Sequence, residues 1–241
     1  MDRADRLLVT LGYFDSRAAA QAAIAGGMVS VNGQRLDKVS AKIRDTDRIE
    51  AVPVHPWVSR GGLRLAHALE FCDIDPAGRI CLDIGASTGG FSDVLLTRGA
   101  KQVYAVDVGR GQLHKKIRAD SRVISLEATD ARGLSQDLIA QAPSLFVCDA
   151  SFIALEKLLA SPLSLAAESA VLVTLFKPQF QVGRTHVGKG GLVTDKPAVE
   201  SAEEAYCTWL TAQGWQVVGR TDSPITGGDG NAERLIHAFK V

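Results

Sequence analysis

An apolar strand, a glycine-rich turn and a helix follow one another within residues 79–96, RICLDIGASTGGFSDVLL, and this succession constrains the fold most. The apolar run at 79–84 is typical of a buried parallel strand. Three glycines between positions 85 and 90 allow a tight turn, and an apolar helix begins at Phe91. A helix N-terminus after such a turn is suited to ligand binding. The segment therefore predicts a ligand site at one edge of a parallel sheet.

The same strand and helix alternation continues towards the C-terminus. Apolar runs at 101–107, 122–126, 144–150 and 169–178 predict four more strands. A helical pattern at 198–213 precedes the runs WQVVGRT and ERLIHAFK, which predict an antiparallel pair. This pattern indicates an α/β fold, a doubly wound Rossmann-like sheet with a terminal hairpin.

Polar residues stand at or near the ends of the five predicted parallel strands. Functional groups of doubly wound sheets gather where the carboxyl ends of the strands meet. We therefore expect these side chains to share one site: Asp83, Asp107, Asp130, Asp149 and Lys177.

The N-terminal part has a different pattern. Helical spacing covers residues 3–11 and 17–25, with Ser16 as the expected N-cap of the second helix. Asn32-Gly33 is a strong hairpin signal, and DRIEAV predicts another strand. Two closely spaced prolines then interrupt the pattern. The predicted organisation is a small α+β domain over 1–52, a linker over 53–60 and an α/β domain over 61–241.

Composition narrows the classes of function. Lys and Arg together number 27, as do Asp and Glu, so the net charge is zero and any nucleic-acid footprint must be local. The four cysteines are far apart and form no CxxC pair, so neither a metal site nor a disulfide framework is expected. There is no apolar run of about 18 residues and no good signal peptide. We expect a cytoplasmic protein without a membrane anchor.

Residues 3–51 resemble the small RNA-binding domain first seen in the fourth protein of the small ribosomal subunit. The resemblance rests on the order R-x-x-R-L-L-x-x-L-G-x-x-x-S-R-x-x-A, followed by I-x-x-G-x-V-x-V-N-G. It implies a basic surface that contacts folded RNA through shape and phosphates. An ordinary solvated helix face is the alternative for scattered arginines. The RNA-contact candidates implied are Arg3, Arg6, Arg17 and Lys38.

The glycine turn resembles that of S-adenosylmethionine-dependent methyltransferases. The pattern is D-x-G-x-x-x-G-G, followed by an acid at the end of the next strand, where ribose hydroxyls are commonly bound. A tight crossover turn without a ligand is the alternative. The cofactor-binding candidates implied are Asp83, Gly85, Ser87, Gly89, Gly90, Phe91, Asp107 and Asp130.

Four further positions resemble the Lys–Asp–Lys–Glu tetrad of FtsJ-like ribose 2′-O-methyltransferases. They are Arg64, Asp149, Lys177 and Glu233. The resemblance implies that a lysine activates the 2′-hydroxyl. Arg64 departs from the usual lysine, and because arginine cannot act as a base, Lys177 remains the candidate base. Rim ion pairs are the alternative for each residue taken singly.

The segments SRGGLRL, VDVGRGQL, KPQF and GDGNAERL extend the likeness to the TlyA family over essentially the whole chain. That family is described as ribosomal RNA 2′-O-methyltransferases and is often labelled hemolysin. Gln181 stands where we expect Glu. The basic segment VGRTHVGKGGLV looks like a mobile loop on the substrate side. Further RNA-contact candidates are Arg60, Arg184 and Lys189.

The leading hypothesis is methyl transfer from S-adenosylmethionine to a ribose 2′-hydroxyl of ribosomal RNA, with the RNA or a ribosomal subunit as partner. A catalytically weak RNA-binding module that kept the fold is a second hypothesis, favoured only by Arg64. A membrane-active hemolysin is a third, but the sequence shows no amphipathic or spanning element. A pseudouridine synthase would have no use for the glycine turn. Target nucleotide, ribosomal subunit and oligomeric state are left open.

Overall fold

The computed structural model describes residues 1–241, which form two compact units, Met1–Pro56 and Trp57–Val241. The division between them falls inside the segment expected to be a linker. Each unit has its own buried apolar core.

The first unit contains two helices and two small sheets. Ser16 begins the second helix, since its Oγ accepts a hydrogen bond from the Ala19 amide at 3.2 Å. Asn32 and Gly33 both have positive φ, which the tight hairpin turn requires. The elements are β1 (Asp2–Arg3), α1 (Ala4–Thr10), α2 (Arg17–Ala25), β2 (Val29–Val31), β3 (Gln34–Arg35), β4 (Lys42–Ile43) and β5 (Ile49–Ala51).

Strands β3, β2 and β5 form one antiparallel sheet, and β1 pairs with β4 in another. The two-residue strands β1 and β4 have no counterpart in the sequence prediction, because they are too short to show an alternating pattern. As a result Arg3 precedes helix α1 instead of lying within it.

The second unit is a seven-stranded mixed sheet with helices on both faces, as the sequence predicts. Its elements are α3 (Gly61–Phe71), β6 (Ile80–Ile84), α4 (Gly90–Thr97), β7 (Gln102–Val106), α5 (Lys115–Arg118), β8 (Val123–Leu126), β9 (Leu145–Cys148), α6 (Leu155–Ser164), β10 (Val171–Phe176), α7 (Lys196–Ala212), β11 (Trp215–Asp222) and β12 (Arg234–Lys240).

The strand order is β11-β12-β10-β9-β6-β7-β8. Strands β6 to β10 are mutually parallel, whereas β12 runs antiparallel to both of its neighbours. Side chains alternate between two apolar layers; for example Leu82 faces one core cluster and Cys81 the other. The chain leaves β6 in one direction through β7 and β8, then returns to β9 on the other side. This reversal leaves a crevice at the carboxyl ends of β6 and β9.

None of the seven α-helices combines the length and the apolar character that a bilayer crossing demands.

Candidate active site

Four charged side chains from distant parts of the second unit meet at the carboxyl edge of the sheet. Lys177 directly follows β10, and its Nζ lies 2.5 Å from Oδ1 of Asp149, which directly follows β9. Arg64 on α3 places Nη2 2.6 Å from Oε2 of Glu233 and Nη1 3.8 Å from Oδ2 of Asp149. The residues expected from the tetrad resemblance therefore form one connected network.

The network is largely excluded from water. The side chains of Lys177, Arg64 and Glu233 are 10%, 11% and 3% exposed. Burial raises the pKa of the Glu233 carboxyl above its usual range, although the nearby Arg64 guanidinium opposes this change. The Nε atom of Arg64 is buried without a hydrogen-bond partner. Charges in such a setting interact more strongly than they would at an open surface.

Ser151 belongs to this network, although no motif in the sequence marks it. Its Oγ accepts a hydrogen bond from Lys177 Nζ at 2.9 Å, and the Asp149 carbonyl oxygen lies 3.5 Å from the same nitrogen. The sequence feature that could have identified Ser151 is its position, two residues after the strand-end acid Asp149. The Lys177 amine is therefore oriented by three oxygens.

The glycine turn between β6 and α4 has the tight form that its sequence predicts. Gly89 has a φ of 91° and caps α4, and a Cβ there would press on Leu113 and Ile117. Gly85 has a φ of 80°, and a Cβ there would lie 3.0 Å from the Asp149 carbonyl oxygen and the Ala150 Cα. Only glycine suits both constraints at these positions.

Asp107 holds the turn from the neighbouring strand. Its Oδ2 accepts a hydrogen bond from the Ser87 amide at 2.8 Å, and its Oδ1 accepts one from the Gly109 amide at 2.7 Å. The Ser87 hydroxyl in turn donates to the Gln112 side chain at 3.3 Å. A carboxylate with two amide donors keeps further lone pairs for a ligand hydroxyl.

Two neighbouring cavities open at this edge of the sheet. The first, of about 510 Å³, is lined by Asp107, Gly109, Gln112 and Asp130. The second, of about 480 Å³, holds the four tetrad side chains and is also lined by Gly90, Phe91 and Arg60. Both are lined by Gly85, Ser87, Asp149, Ser151 and Phe152, so a ligand in one would lie beside a ligand in the other.

Asp83 and Gly89 differ from the other cofactor-binding candidates, because they lie behind the turn and on the wall of neither cavity. Asp83 is fully buried, and its Oδ2 accepts a hydrogen bond from the Ser92 hydroxyl at 2.6 Å. Burial raises the pKa of Asp83 to about 7. In this structure the two residues support the turn, and their contact with the cofactor stays a prediction.

The basic segment after β10 is attached to the loop before β12. Asn231 accepts a hydrogen bond from the Val193 amide at 2.9 Å and donates one to the Gly191 carbonyl at 2.9 Å. Arg184 and Lys189 are exposed on this segment. Gln181, the departure from the expected Glu, accepts a hydrogen bond from the Leu155 amide at 3.2 Å and so caps α6.

The RNA-contact candidates of the first unit fall into two kinds. Arg6 and Lys38 are exposed. Arg3 and Arg17 are partly exposed, and both bind the buried carboxylate of Asp5.

The first cavity suits S-adenosylmethionine. The glycine turn, which Asp107 holds in place, and the close approach of Gly85 to the Asp149 and Ala150 backbone shape one wall of this cavity. Asp107 is placed to accept hydrogen bonds from ribose hydroxyls, and the turn at the start of α4 is placed to hold polar groups of the cofactor. The fold and this site define an S-adenosylmethionine-dependent methyltransferase.

Comparison with known proteins agrees with this class. The model of the FtsJ-like methyltransferases matches residues 57–240, and that of the S4 domain matches residues 2–49. The chain belongs to the FtsJ-like methyltransferase family and carries an S4 domain at its N-terminus.

Relatives align over nearly the whole chain. The 16S/23S rRNA (cytidine-2′-O)-methyltransferase TlyA of Mycobacterium tuberculosis is 43% identical, with 97% of this chain and 88% of that protein covered. Hemolysin A of Brachyspira hyodysenteriae is 42% identical over 98% of both chains. A solved structure from Streptococcus thermophilus, provisionally named a hemolysin, superposes with a TM-score of 0.79 at 39% identity, covering 100% of this chain and 88% of that one.

Proposed function

We propose that this protein transfers a methyl group from S-adenosylmethionine to a ribose 2′-hydroxyl of ribosomal RNA. The observation that carries the proposal is the position of Lys177, oriented by Asp149 and Ser151, in a cavity that adjoins the cofactor cavity. A base beside the methyl donor is what oxygen methylation requires, since a neutral hydroxyl is a weak nucleophile.

The four charged residues of the tetrad have different roles in the proposed reaction. Bound S-adenosylmethionine supplies an electrophilic methyl group. In its unprotonated form, the Lys177 amine would accept the proton of the 2′-hydroxyl as the hydroxyl oxygen bonds to the methyl carbon; the bond from that carbon to the cofactor sulfur would break, leaving S-adenosylhomocysteine. Asp149 and Ser151 fix the direction of that amine, and Arg64 holds Asp149 and Glu233 in place.

The relatives and the S4 domain point to the substrate. The M. tuberculosis relative is named for methylation of cytidine 2′-hydroxyls in 16S and 23S rRNA, and we assign the same class of target here. The S4 domain supplies the RNA-binding surface, with Arg3, Arg6, Arg17 and Lys38 as its phosphate contacts, joined by Arg60, Arg184 and Lys189 of the second unit. Because ribosomal RNA is the proposed substrate, we expect the protein to act in the cytoplasm.

The test is methyl transfer from labelled S-adenosylmethionine to purified bacterial 30S and 50S subunits. Lys177→Met removes the amine but keeps an unbranched side chain in the buried site. We expect label in RNA with the wild type and a 10²- to 10⁴-fold lower rate with the variant, the usual size of a general-base contribution. Lys157→Met, at an exposed position on α6, is the matched control and should keep the wild-type rate.

Other outcomes have definite meanings. Cofactor binding without label on either subunit would favour the RNA-binding module over the enzyme. Label that persists in Lys177→Met would remove Lys177 as the base. Lysis of red cells by the purified protein, without RNA or cofactor, would support a membrane activity of the kind that the name of the B. hyodysenteriae relative implies.

A further inference from the structure

Asp5 is a buried acid of the S4 domain that accepts hydrogen bonds from three side chains. It lies in the first turn of α1 and is fully buried. Arg3 donates to it from Nε at 3.0 Å and Nη2 at 3.2 Å, and Arg17 donates from Nη2 at 2.8 Å and Nε at 3.3 Å. Gln21 adds a hydrogen bond from Nε2 at 2.8 Å. One carboxylate thus joins two arginines that are distant in sequence.

Both arginines bind Asp5 with the same edge of the guanidinium group. Each uses Nε and Nη2, so Nη1 lies on the side directed away from the carboxylate. The side chains of Arg3 and Arg17 remain 37% and 55% exposed. Two planar donor groups are therefore held next to each other, each with a second donor edge available to a ligand.

A buried carboxylate is electrostatically unfavourable for an RNA-binding surface, because it offsets part of the positive charge that attracts phosphate. The hydrogen bonds from Arg3 and Arg17 also lower the pKa of Asp5 well below its usual range, so the carboxylate stays ionised at working pH. Asp5 also restricts the conformations of the Arg3 and Arg17 side chains. Free arginine side chains lose rotamer entropy when they bind, and arginines already held in place lose less.

We propose that Asp5 is a positioning residue that holds Arg3 and Arg17 as a pair, with their outward donor edges arranged to bind backbone phosphates of the RNA substrate. This inference rests on the proposed function, which makes the S4 domain the RNA-binding part of an rRNA methyltransferase. It adds that the geometry of the two arginines, and not their charge alone, determines the affinity.

Asp5→Asn separates geometry from charge, because the two accounts predict effects of opposite sign. Removing a negative charge strengthens RNA binding if charge alone matters. If Asp5 positions the arginines, the variant binds 30S or 50S subunits about tenfold more weakly, since the two side chains must be ordered on binding. Equal or tighter binding by a folded Asp5→Asn variant would overturn the proposal.

Arg17→Lys provides a second test that does not depend on the folding of the Asp5 variant, because Arg17 is largely exposed. Lysine keeps the charge but has a single nitrogen, so it cannot bind Asp5 through one edge and phosphate through another. We expect about tenfold weaker subunit binding and a salt dependence, log Kd against log salt, that is shallower by about one phosphate contact. Arg48→Lys, at an exposed arginine of the same unit that pairs with Glu50 and not with Asp5, is the control and should change affinity less than about twofold.

Methylation kinetics distinguish this inference from a general loss of structure. Asp5→Asn and Arg17→Lys should raise KM for the subunit and leave kcat near the wild-type value, because neither touches the methyl-transfer site. An unchanged KM and salt dependence in Arg17→Lys would refute the positioning role. Failure of the proposed function has a different signature, since then the wild type itself would add no label.

Discussion

Arg64 contacts two of the acidic side chains in the candidate active site. It forms a buried pair with Glu233 through Nη2 and lies within 3.8 Å of Asp149 through Nη1. The usual lysine of the FtsJ-like tetrad would supply one charged nitrogen, whereas the guanidinium reaches both acids with separate nitrogens. Arginine at this position thus keeps a fixed positive charge, and in the proposed mechanism proton transfer falls to Lys177.

A variant that lacks the Arg64–Glu233 ion pair measures how much the pair contributes to stability. In Arg64→Met the Glu233 carboxylate stays buried without its partner, and we expect the free energy of unfolding to fall by about 3–5 kcal/mol. Urea unfolding at pH 7 measures the change. The double variant Arg64→Met with Glu233→Gln should recover part of the loss, and a double variant as unstable as the sum of the two single variants would contradict the pairing.

Asp83 predicts a pH dependence of stability. Burial raises its pKa to about 7 in the folded state, against about 3.8 for an ordinary Asp. Between these values the folded protein holds a proton that the unfolded chain has lost, so the stability contributed by Asp83 is complete below pH 4 and is lost as the pH rises towards 7. The loss amounts to about 1.4 kcal/mol per pH unit in that window.

Asp83→Asn removes this titration while keeping the shape of the side chain. We expect the difference in free energy of unfolding between the variant and the wild type to rise by about 2.7 kcal/mol, in favour of the variant, between pH 5 and pH 8. Urea unfolding at both pH values is the measurement. Parallel pH profiles for the two proteins would show that the Asp83 carboxyl does not titrate in this range.

At the scale of elements, the turn between β6 and α4 depends on close approach as well as on backbone conformation. In Gly85→Ala the new Cβ would meet the Asp149 carbonyl oxygen and the Ala150 Cα at 3.0 Å, so the backbone at the end of this strand must shift. We expect the variant to bind S-adenosylmethionine at least tenfold more weakly, because the displaced strand end carries Asp149 and lines both cavities. Isothermal titration calorimetry measures the affinity.

Gly78→Ala is the matched control for this prediction. Gly78 also has a positive φ, 71°, but its added Cβ meets nothing within 4 Å. It should lower stability by about 1–2 kcal/mol, the cost of a left-handed conformation, and leave the cofactor affinity unchanged. Equal effects of the two variants on affinity would assign the requirement for Gly85 to backbone conformation alone.

At the scale of the whole molecule, the two units have separate cores. The apolar cluster of the first unit is made entirely of residues before position 57, and the two clusters of the second lie entirely after position 56. Trp57 and Val58 belong to the second unit, where the Val58 amide donates a hydrogen bond to buried Asp93 at 2.9 Å. This bond keeps the start of the second unit attached to α4.

A fragment consisting of residues 57–241 should therefore fold cooperatively and keep its affinity for S-adenosylmethionine within about twofold of the full chain. It should lose most of its affinity for ribosomal subunits, because the S4 domain carries the proposed phosphate contacts. Calorimetry with the cofactor and filter binding with the subunits measure the two quantities. Loss of cofactor binding by a folded fragment would show that the first unit contributes to the methyl-transfer site.

Local patterns in the sequence determine much of this protein. The parallel strands, the glycine turn, the Ser16 cap and the Asn32-Gly33 hairpin follow from periodicity and from residues with special backbone preferences, and such signals act over a few neighbouring positions. The strand-end acids and the tetrad were identified from motif and position. Their catalytic and binding roles remain predictions.

Tertiary structure alone decided which of these residues touch one another. Asp83 belongs to the motif, yet it lies behind the turn, because its strand turns that side chain into the core. Ser151 and Asp5 carry no motif of their own, and their roles arise from chain segments that folding brings together. Sequence spacing fixes the direction of a side chain within an element, but contacts between elements depend on how the layers pack, which no local pattern encodes.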